Sequence, residues 1–239
     1  MAHYIYGKNV VKQWILNRRP IRHLYLSQER PDPEILRLAK EAQVPVESWS
    51  PKAFSKIEGL HQNVVAEIDD FKTYTLDEVL PTLGEQSLVI LLDGLEDPHN
   101  LGAILRTADA VGVDAVIIPK HGSVGLTPTV AKVSTGAIDT VRTVEVVNLS
   151  QTIDKLKKAG FWIFASEFTP KAIDYRQADY RGKAVLIIGS EGKGISPLVL
   201  KHADVVVKLP MLGKVTSLNA SVSAAILMYE VLNQRFPRP

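Results

Sequence analysis

The hydrophobic positions of this chain change their pattern near residue 87. Beyond that point, short runs rich in Val, Ile and Leu alternate with segments in which apolar residues recur at helical spacing. Continuous apolar strands that alternate with helices are typical of a mainly parallel sheet covered on both faces. We therefore predict an α/β fold for this part of the chain. The predicted strands are 88–92, 115–118, 141–146, 161–165, 184–188 and 205–209, and the predicted helices are 100–111, 128–135, 151–159, 197–202 and 219–234.

The first 70 residues predict a smaller α/β unit. Helical patterns cover 7–16 and the segment after Pro33, and short strand-like runs lie at 24–26, 44–46 and 64–68. The stretch that follows mixes charged side chains with Pro81 and Gly84, which indicates a linker with a short helix. The predicted organisation is a small domain at 1–70, a linker at 71–86 and a large domain at 87–239.

The last predicted helix is apolar on two faces, and such a helix has to be buried on both. One face can pack on the sheet of its own chain. A second copy of the chain is the simplest partner for the other face, although the centre of a large core fits the periodicity equally well. The first face consists of Leu218, Val222, Ala225, Ile226, Tyr229 and Leu232, and the second of Ala220, Ala224, Leu227, Met228 and Val231.

Polar side chains follow three of the predicted strands. Asp93 to Gly102 leads into a helix that carries Arg106 on a small, apolar face, and Thr216, Ser217 and Asn219 precede the last helix. Ser217 or Asn219 can cap that helix by accepting from its free amides. Arg106 must find a carboxylate or a phosphate, because its charge cannot be removed. Since parallel strands place ligand sites beyond their carboxyl ends, these loops predict one site.

The third polar loop is Gly189-Ser190-Glu191-Gly192-Lys193-Gly194, directly after a strand. Its glycines suit a backbone that approaches a ligand closely, although a plain glycine turn remains an alternative. The loop is not a Walker motif, because Gly194 is followed by Ile195 rather than by Lys-Ser or Lys-Thr. The order of its glycines also differs from the dinucleotide-binding fingerprint.

Composition narrows the classes of protein that remain. Of 239 residues, 46% are apolar and 23% charged, as in an ordinary soluble globular protein. No apolar run is long enough to span a bilayer and the first residues lack the layout of a secretion signal, so we expect a cytoplasmic location. The absence of cysteine excludes disulfides and thiolate chemistry. Six histidines without paired spacing predict no metal site.

The net charge of +2 is too balanced to indicate nucleic-acid binding by itself. A local basic cluster, made up of Arg18, Arg19, Arg22 and His23, is more informative. It is either a solvated loop or, together with the polar turn at 61–63, a face that contacts phosphates.

The three polar loops, in this order, closely resemble the motifs of the SpoU (TrmH) family of RNA 2′-O-ribose methyltransferases, within the trefoil-knotted SPOUT superfamily. The matching segments are DGLEDPHNLGAILRTADAVG, VLIIGSEGKGIS and VVKLPMLGKVTSLNASVSAAI. Residues 1–70, with GKNVV near the start and HQNVVAEI near the end, resemble the family's small RNA substrate-binding domain, which is related to a ribosomal-protein fold. This layout is most similar to that of the enzymes that methylate a guanosine ribose in bacterial 23S ribosomal RNA.

The resemblance implies S-adenosylmethionine as the methyl donor, held by the loops of a C-terminal trefoil knot, and a homodimer packed through the C-terminal helix. It implies that Gly189, Leu209 and Leu218 contact the cofactor, largely through their backbone. An RNA substrate also favours the RNA-binding role of Arg18, Arg19 and Arg22. The residues that match the family's active-site positions are Asn100, Arg106, Glu191, Ser217 and Asn219.

Three functions are therefore compared. The first is an RNA ribose methyltransferase, with ribosomal RNA as the favoured substrate and transfer RNA as the alternative. The second is an RNA-binding or ribosome-assembly module on an inactive methyltransferase fold, against which the intact Asn100, Arg106 and Glu191 argue. The third is a nucleotide-dependent enzyme on an ordinary doubly wound sheet, which the missing glycine fingerprints disfavour.

Overall fold

A computed structural model of the protein describes residues 3–57 and 59–236, which divide after Phe71 into two compact units. The small unit is a mixed four-stranded sheet in the order β1-β4-β2-β3, in which only the β2–β3 pair is parallel. Its strands are β1 (His3–Tyr6), β2 (His23–Ser27), β3 (Val46–Trp49) and β4 (Val64–Ile68), and its helices are α1 (Lys8–Leu16), α2 (Pro33–Glu41) and α3 (Pro51–Phe54).

Local chemistry explains where the helices of the small unit begin. The Asp32 side chain accepts hydrogen bonds from the amides of Glu34 and Ile35, both at 3.1 Å, and Pro33 occupies the first helical position of α2. The α1 helix packs on α2 and on strands β1 and β4. This unit agrees with the predicted small α/β fold. The division into an RNA substrate-binding domain at 1–70, a linker at 71–86 and a catalytic domain at 87–239 stays a prediction.

The large unit contains a seven-stranded sheet in the order β7-β6-β5-β10-β8-β11-β9. Every pair in this sheet is parallel, which confirms the predicted mainly parallel α/β architecture. The strands are β5 (Leu88–Asp93), β6 (Ala115–Pro119), β7 (Thr143–Val146), β8 (Trp162–Ser166), β9 (Ile173–Asp174), β10 (Ala184–Gly189) and β11 (Val205–Lys208). The helices are α4 (Leu76–Val79), α5 (Pro98–Val111), α6 (Pro128–Val133), α7 (Ala137–Thr140), α8 (Leu149–Lys158), α9 (Pro197–Leu200) and α10 (Ala220–Arg235).

Helices cover both faces of this sheet because its strands are apolar on both sides. Val185 and Ile187 of β10 join a buried cluster with Ile153 of α8 and Val199 of α9. The alternate residues of β10 point to the opposite face, where α10 contacts both β10 and α5. No helix among residues 3–57 and 59–236 is long and apolar enough to cross a membrane. The cytoplasmic location and the trefoil knot stay predictions.

The C-terminal helix α10 separates its two apolar faces as predicted. The face formed by Ala220, Ala224, Leu227, Met228 and Val231 is buried within the chain, each residue at 5% exposure or less. On the other face, Val222 is 46% exposed and Tyr229 is 53% exposed. The prediction that one face packs on the chain's own fold is confirmed, and a second subunit on the other face stays a prediction.

Several boundaries differ from the predicted ones for local reasons. The predicted helix 128–135 ends at Val133 and α7 begins only at Ala137, because the backbone turns left-handed at Thr135 and Gly136, with φ of 50° and 105°. The predicted helix 151–159 begins two residues earlier, at Leu149, because Asn148 caps it by accepting from the Gln151 amide. Strands β1 and β9 and helix α3 were not predicted, and each has four residues or fewer.

Candidate functional site

The loops after β5, β10 and β11 meet at one edge of the large sheet because these strands are all parallel. At this edge the Glu191 carboxylate accepts two hydrogen bonds at the same oxygen, Oε1. One comes from Asn100 Nδ2 at 2.9 Å and the other from Asn219 Nδ2 at 2.5 Å. The structure therefore brings together three of the five predicted active-site residues.

Asn100 and Asn219 reach Glu191 from the starts of two helices. Asn100 is in the first turn of α5 and is only 4% exposed. Asp97 caps this helix, because its side chain accepts from the His99 amide at 2.9 Å and Pro98 takes the first helical position. Asn219 is the cap of α10, and both helix starts favour the negative charge of Glu191.

Close backbone contacts and backbone conformation explain why the loop after β10 contains glycines. The loop closes on itself through Ser190 N to Gly194 O at 3.1 Å and Gly194 N to Ser190 O at 3.0 Å. Gly192 and Gly194 have φ of 81° and 65°, which suits glycine. A Cβ atom on Gly189 would lie 2.2 Å from the carbonyl carbon of Gly194. Gly189 is therefore needed for the loop to fold back, whatever the loop binds.

A cavity of about 420 Å³ opens beside this loop. Four predicted residues, Gly189, Leu209, Ser217 and Leu218, line it together with Glu191. A smaller cavity of about 210 Å³ lies next to it, and Ser190 and Glu191 line both cavities. Further residues that line the larger cavity are Glu167, Phe168, Lys208, Met211 and Thr216. Glu167 and Phe168 are not among the predicted site residues, although they directly follow strand β8, just as the polar loops follow β5 and β10.

The larger cavity suits the cofactor that the resemblance implies. Its volume lies within the range of about 300–1,000 Å³ that is usual for small-molecule sites. Leu209, Met211 and Leu218 offer apolar surface to a purine or a thioether, and Ser190 and Ser217 offer polar atoms to hydroxyl and ammonium groups. This mixture of donors, acceptors and apolar surface fits S-adenosylmethionine.

Arg106 lies apart from this cluster. It is exposed on α5, about 9 Å further along the helix axis than Asn100, and lines neither cavity. The alternative that it forms an ion pair within the chain is not borne out, because Arg106 has no hydrogen-bond or ion-pair partner among residues 3–57 and 59–236. Its guanidinium is thus available to a group from outside the part of the chain that is described.

The basic cluster of the small unit does not lie beside the polar turn at 61–63. That turn is at the start of α1, where Gln62 Oε1 accepts from the Lys8 amide at 3.0 Å. Arg18 follows the end of α1, a helix of nine residues that is about 13 Å long. The turn and the cluster thus lie towards opposite ends of α1, and their joint role as a face that contacts phosphates stays a prediction.

The three arginines of the cluster have different surroundings. Arg18 is exposed, with φ of 53°. The guanidinium of Arg19 lies 4.7 Å from the centre of the Trp14 ring, and Arg22 is ion-paired with Asp69. Their RNA-binding role stays a prediction. No group of three or more His, Cys, Asp and Glu side chains could hold a metal ion among the described residues.

The fold and the site define an α/β enzyme with a ligand cavity at the carboxyl edge of a parallel sheet. Two family models match the chain: the SpoU rRNA Methylase family at residues 87–229, and the RNA 2′-O ribose methyltransferase substrate binding family at residues 4–74. The chain therefore belongs to the SpoU family of RNA methyltransferases, and the resemblance seen in its sequence is confirmed.

Individual relatives support the same family over nearly the whole chain. A protein of Bacillus subtilis assigned to the TrmH family of tRNA/rRNA methyltransferases is 41% identical, with 98% of this chain and 96% of the relative covered. A Staphylococcus aureus protein with the same assignment is 46% identical, with 97% of this chain and 96% of the relative covered.

Solved structures have the same fold. The SpoU methyltransferase AviRb from Streptomyces viridochromogenes, in complex with the cofactor AdoMet, matches with a TM-score of 0.75 and 24% identity, and 98% of this chain and 90% of that chain are covered. A structure of an RNA 2′-O ribose methyltransferase matches with a TM-score of 0.68 and 29% identity, and 98% of this chain and 89% of that chain are covered.

Proposed function

We propose that this chain transfers the methyl group of S-adenosylmethionine to the ribose 2′-oxygen of a guanosine in 23S ribosomal RNA. The observation that carries the proposal is the hydrogen-bonded group of Asn100, Glu191 and Asn219 beside the 420 Å³ cavity. Family membership, relatives named as RNA methyltransferases and a neighbour bound to AdoMet support it.

The proposed reaction is an in-line displacement. The ribose 2′-oxygen attacks the methyl carbon, the bond between that carbon and sulfur breaks with its electron pair left on sulfur as a neutral thioether, and the hydroxyl proton passes to water. When bound, S-adenosylmethionine supplies a methyl group already activated by its sulfonium. The protein therefore has to align two reactants and help to remove one proton, and alignment alone can account for a large part of a rate enhancement.

The residues of the site suit this alignment. Glu191 holds the amides of Asn100 and Asn219 in one orientation, between the two cavities. Ser217 lines the larger cavity, so its hydroxyl is available to the cofactor. We assign to the guanidinium of Arg106 the binding of an RNA phosphate or the orientation of the 2′-hydroxyl, since a guanidinium offers several donors to such groups.

The first experiment is transfer of labelled methyl from S-adenosylmethionine to ribosomal RNA and, separately, to transfer RNA, each from cells that lack the enzyme. We expect label at one position of 23S ribosomal RNA, and resistance of that position to alkaline cleavage. Label in transfer RNA alone would overturn the substrate. Label in neither RNA would favour an RNA-binding module without activity.

We propose that the basic cluster contributes to RNA binding. Arg18 and Arg22 are exposed, and cations at a surface contact phosphates without reading sequence. Replacing Arg18, Arg19 and Arg22 together by alanine should weaken RNA binding and leave the affinity for the cofactor unchanged. An unchanged dissociation constant for RNA would remove the cluster from the binding surface.

We also propose a homodimer that packs through α10. Val222 and Tyr229 are exposed on the same apolar face as the half-buried Ile226, and a continuous apolar face of this kind is typical of a subunit interface. Sedimentation equilibrium should give a dimer for the wild type and a monomer for the double variant Val222→Glu, Tyr229→Glu. The matched control is Val147→Glu, at a site that is 80% exposed outside this helix, and it should remain dimeric.

A further inference from the structure

We infer that Asp93 and Glu167 form a carboxylate clamp that positions the glycine loop after β10 and thereby sets the affinity of the larger cavity for its cofactor. The inference rests on the proposed function, since it takes S-adenosylmethionine as the ligand. Neither residue belongs to the group around Glu191, and both act through the loop that carries it. They are therefore positioning residues.

The strand order places the two carboxylates on opposite sides of the loop. Strand β10 lies between β5, which ends at Asp93, and β8, which is followed by Glu167. Where the loop returns, the Ile195 amide donates to Glu167 Oε2 at 2.9 Å and the Ser196 amide donates to Asp93 Oδ2 at 2.7 Å. Two consecutive amides are thus held by carboxylates from the two strands that flank β10.

The contacts around Glu167 are close. A Cβ atom on Gly194 would lie 2.4 Å from Glu167 Oε2, so the loop packs directly on the carboxylate. The Glu167 amide also donates to the carbonyl of Val207 in β11 at 3.0 Å. Glu167 therefore connects the ends of β8, β10 and β11, and residues at all three ends line the larger cavity.

The clamp affects the larger cavity because two residues that line it, Gly189 and Glu191, lie in the loop that the clamp holds. The loop begins at Gly189, passes through Glu191 and returns at Ile195, so the placement of Gly189 and Glu191 depends on where the returning amides are fixed. Hydrogen bonds to ionised acceptors are shorter and stronger than neutral ones. Without them, the self-closed turn from Ser190 to Gly194 remains possible, but its position against the cavity is no longer determined.

Four variants test the clamp: Glu167→Ala, Glu167→Gln, Asp93→Ala and the control Glu85→Ala, at an exposed carboxylate of the same unit. Two readouts are needed. The first is hydrogen–deuterium exchange of the Ile195 and Ser196 amides in the ligand-free protein, and the second is the dissociation constant of S-adenosylmethionine by calorimetry.

Glu167→Ala should speed exchange at Ile195 and weaken cofactor binding about tenfold, because a hydrogen bond to a charged acceptor is lost. Glu167→Gln should recover most of the protection against exchange and most of the cofactor affinity, since its carbonyl oxygen can accept from the Ile195 amide. Asp93→Ala should act in the same way at Ser196. The Glu85→Ala control should match the wild type in both readouts.

The outcomes separate the clamp from a general loss of folding and from the proposed function. If Glu167→Ala kept the wild-type affinity, or if Glu167→Gln bound as weakly as Glu167→Ala at an unchanged melting temperature, the clamp would be refuted. A wild-type protein that bound no S-adenosylmethionine would refute the proposed function and the clamp's role in affinity together. The exchange data would then still show whether Glu167 fixes the loop.

Discussion

The side-chain amide of Asn219 caps one helix and at the same time binds Glu191. Its Oδ1 accepts from the Ser221 amide at 2.9 Å, at the start of α10, and its Nδ2 donates to Glu191 Oε1. An amide is suited to this position because it offers an acceptor on one side and a donor on the other. Asn219 therefore links the start of the helix to the carboxylate, which Asn100 also binds.

The two tasks of Asn219 can be separated by two substitutions. Asn219→Asp keeps an acceptor for the Ser221 amide but loses the donor and places a second carboxylate against Glu191. We expect methyl transfer to fall at least about tenfold, with little change in stability. Asn219→Ala also loses the cap, which should cost about 1 kcal/mol in the free energy of unfolding. Turnover assays and urea denaturation measure the two effects. Equal stability of both variants would show that the cap contributes nothing.

Arg106→Ala should abolish methyl transfer while leaving the fold intact. The side chain is exposed and has no hydrogen-bond or ion-pair partner in the described part of the chain, so its loss should change the free energy of unfolding by less than about 0.5 kcal/mol. The rate should fall about a hundredfold or more, as when one charge-stabilising donor is removed from an active site. Arg106→Lys keeps the charge without the planar fork and should retain part of the activity. Near-normal turnover of Arg106→Ala would contradict its assigned role.

Parts of the fold that depend on local chemistry could be predicted from the sequence. The two faces of α10 follow from the 3.6-residue period, and the buried residues are the ones that this period selects. Asn219 was one of two candidate caps, and helix-capping geometry involves only the next few residues. Six of the seven parallel strands follow from continuous apolar runs in the sequence. The seventh, β9, has only two residues and leaves no such run.

Contacts between distant segments could not be predicted in the same way. Asn100 and Glu191 are 91 residues apart, and they meet only because β5 lies beside β10 in the sheet. No periodicity encodes that order, and the family resemblance supplied the pair instead. Glu167 was missed for a different reason. It follows a parallel strand as Glu191 does, but it has no flanking glycines to mark its loop.

Gly189→Ala should prevent the loop after β10 from folding back. The added Cβ would meet the backbone of Gly194 at 2.2 Å, and backbone atoms cannot move aside as a flexible side chain can. We expect a loss of at least about 2 kcal/mol in the free energy of unfolding, together with loss of cofactor binding. Gly84→Ala is the matched control, because nothing lies within 4 Å of its added Cβ. Normal cofactor binding by Gly189→Ala would show that the loop has room that the structure does not indicate.

Arg235 anchors the end of α10 to the large unit. Burial lowers the pKa of its guanidinium, and its donors are satisfied by backbone carbonyls rather than by a carboxylate. The acceptors are the carbonyl oxygens of Gln86, Ser87, Tyr180 and Gly182. Arg235→Ala leaves several of these groups without a partner and should cost about 2–4 kcal/mol in the free energy of unfolding.

The control for Arg235 is Arg181→Ala, which removes an exposed guanidinium that pairs with Asp179 at 2.8 Å. Exposed pairs of this kind contribute about 0–1 kcal/mol, so this variant should unfold close to the wild type. Urea denaturation followed by circular dichroism measures both. Equal midpoints for the two variants would contradict the anchoring role of Arg235.

Thr143→Val should stabilise the protein. Thr143 lies in β7 with no exposed surface, and its hydroxyl oxygen has no hydrogen-bond partner among residues 3–57 and 59–236. Burial of an unpaired hydroxyl costs about 1–3 kcal/mol, and valine has nearly the same shape without that group. Thr152→Val is the matched control, since Thr152 is also buried but donates to the Asn148 carbonyl at 2.9 Å. Urea denaturation should therefore give a higher midpoint for Thr143→Val and an equal or lower one for Thr152→Val, and the reverse order would mean that the Thr143 hydroxyl is satisfied in solution.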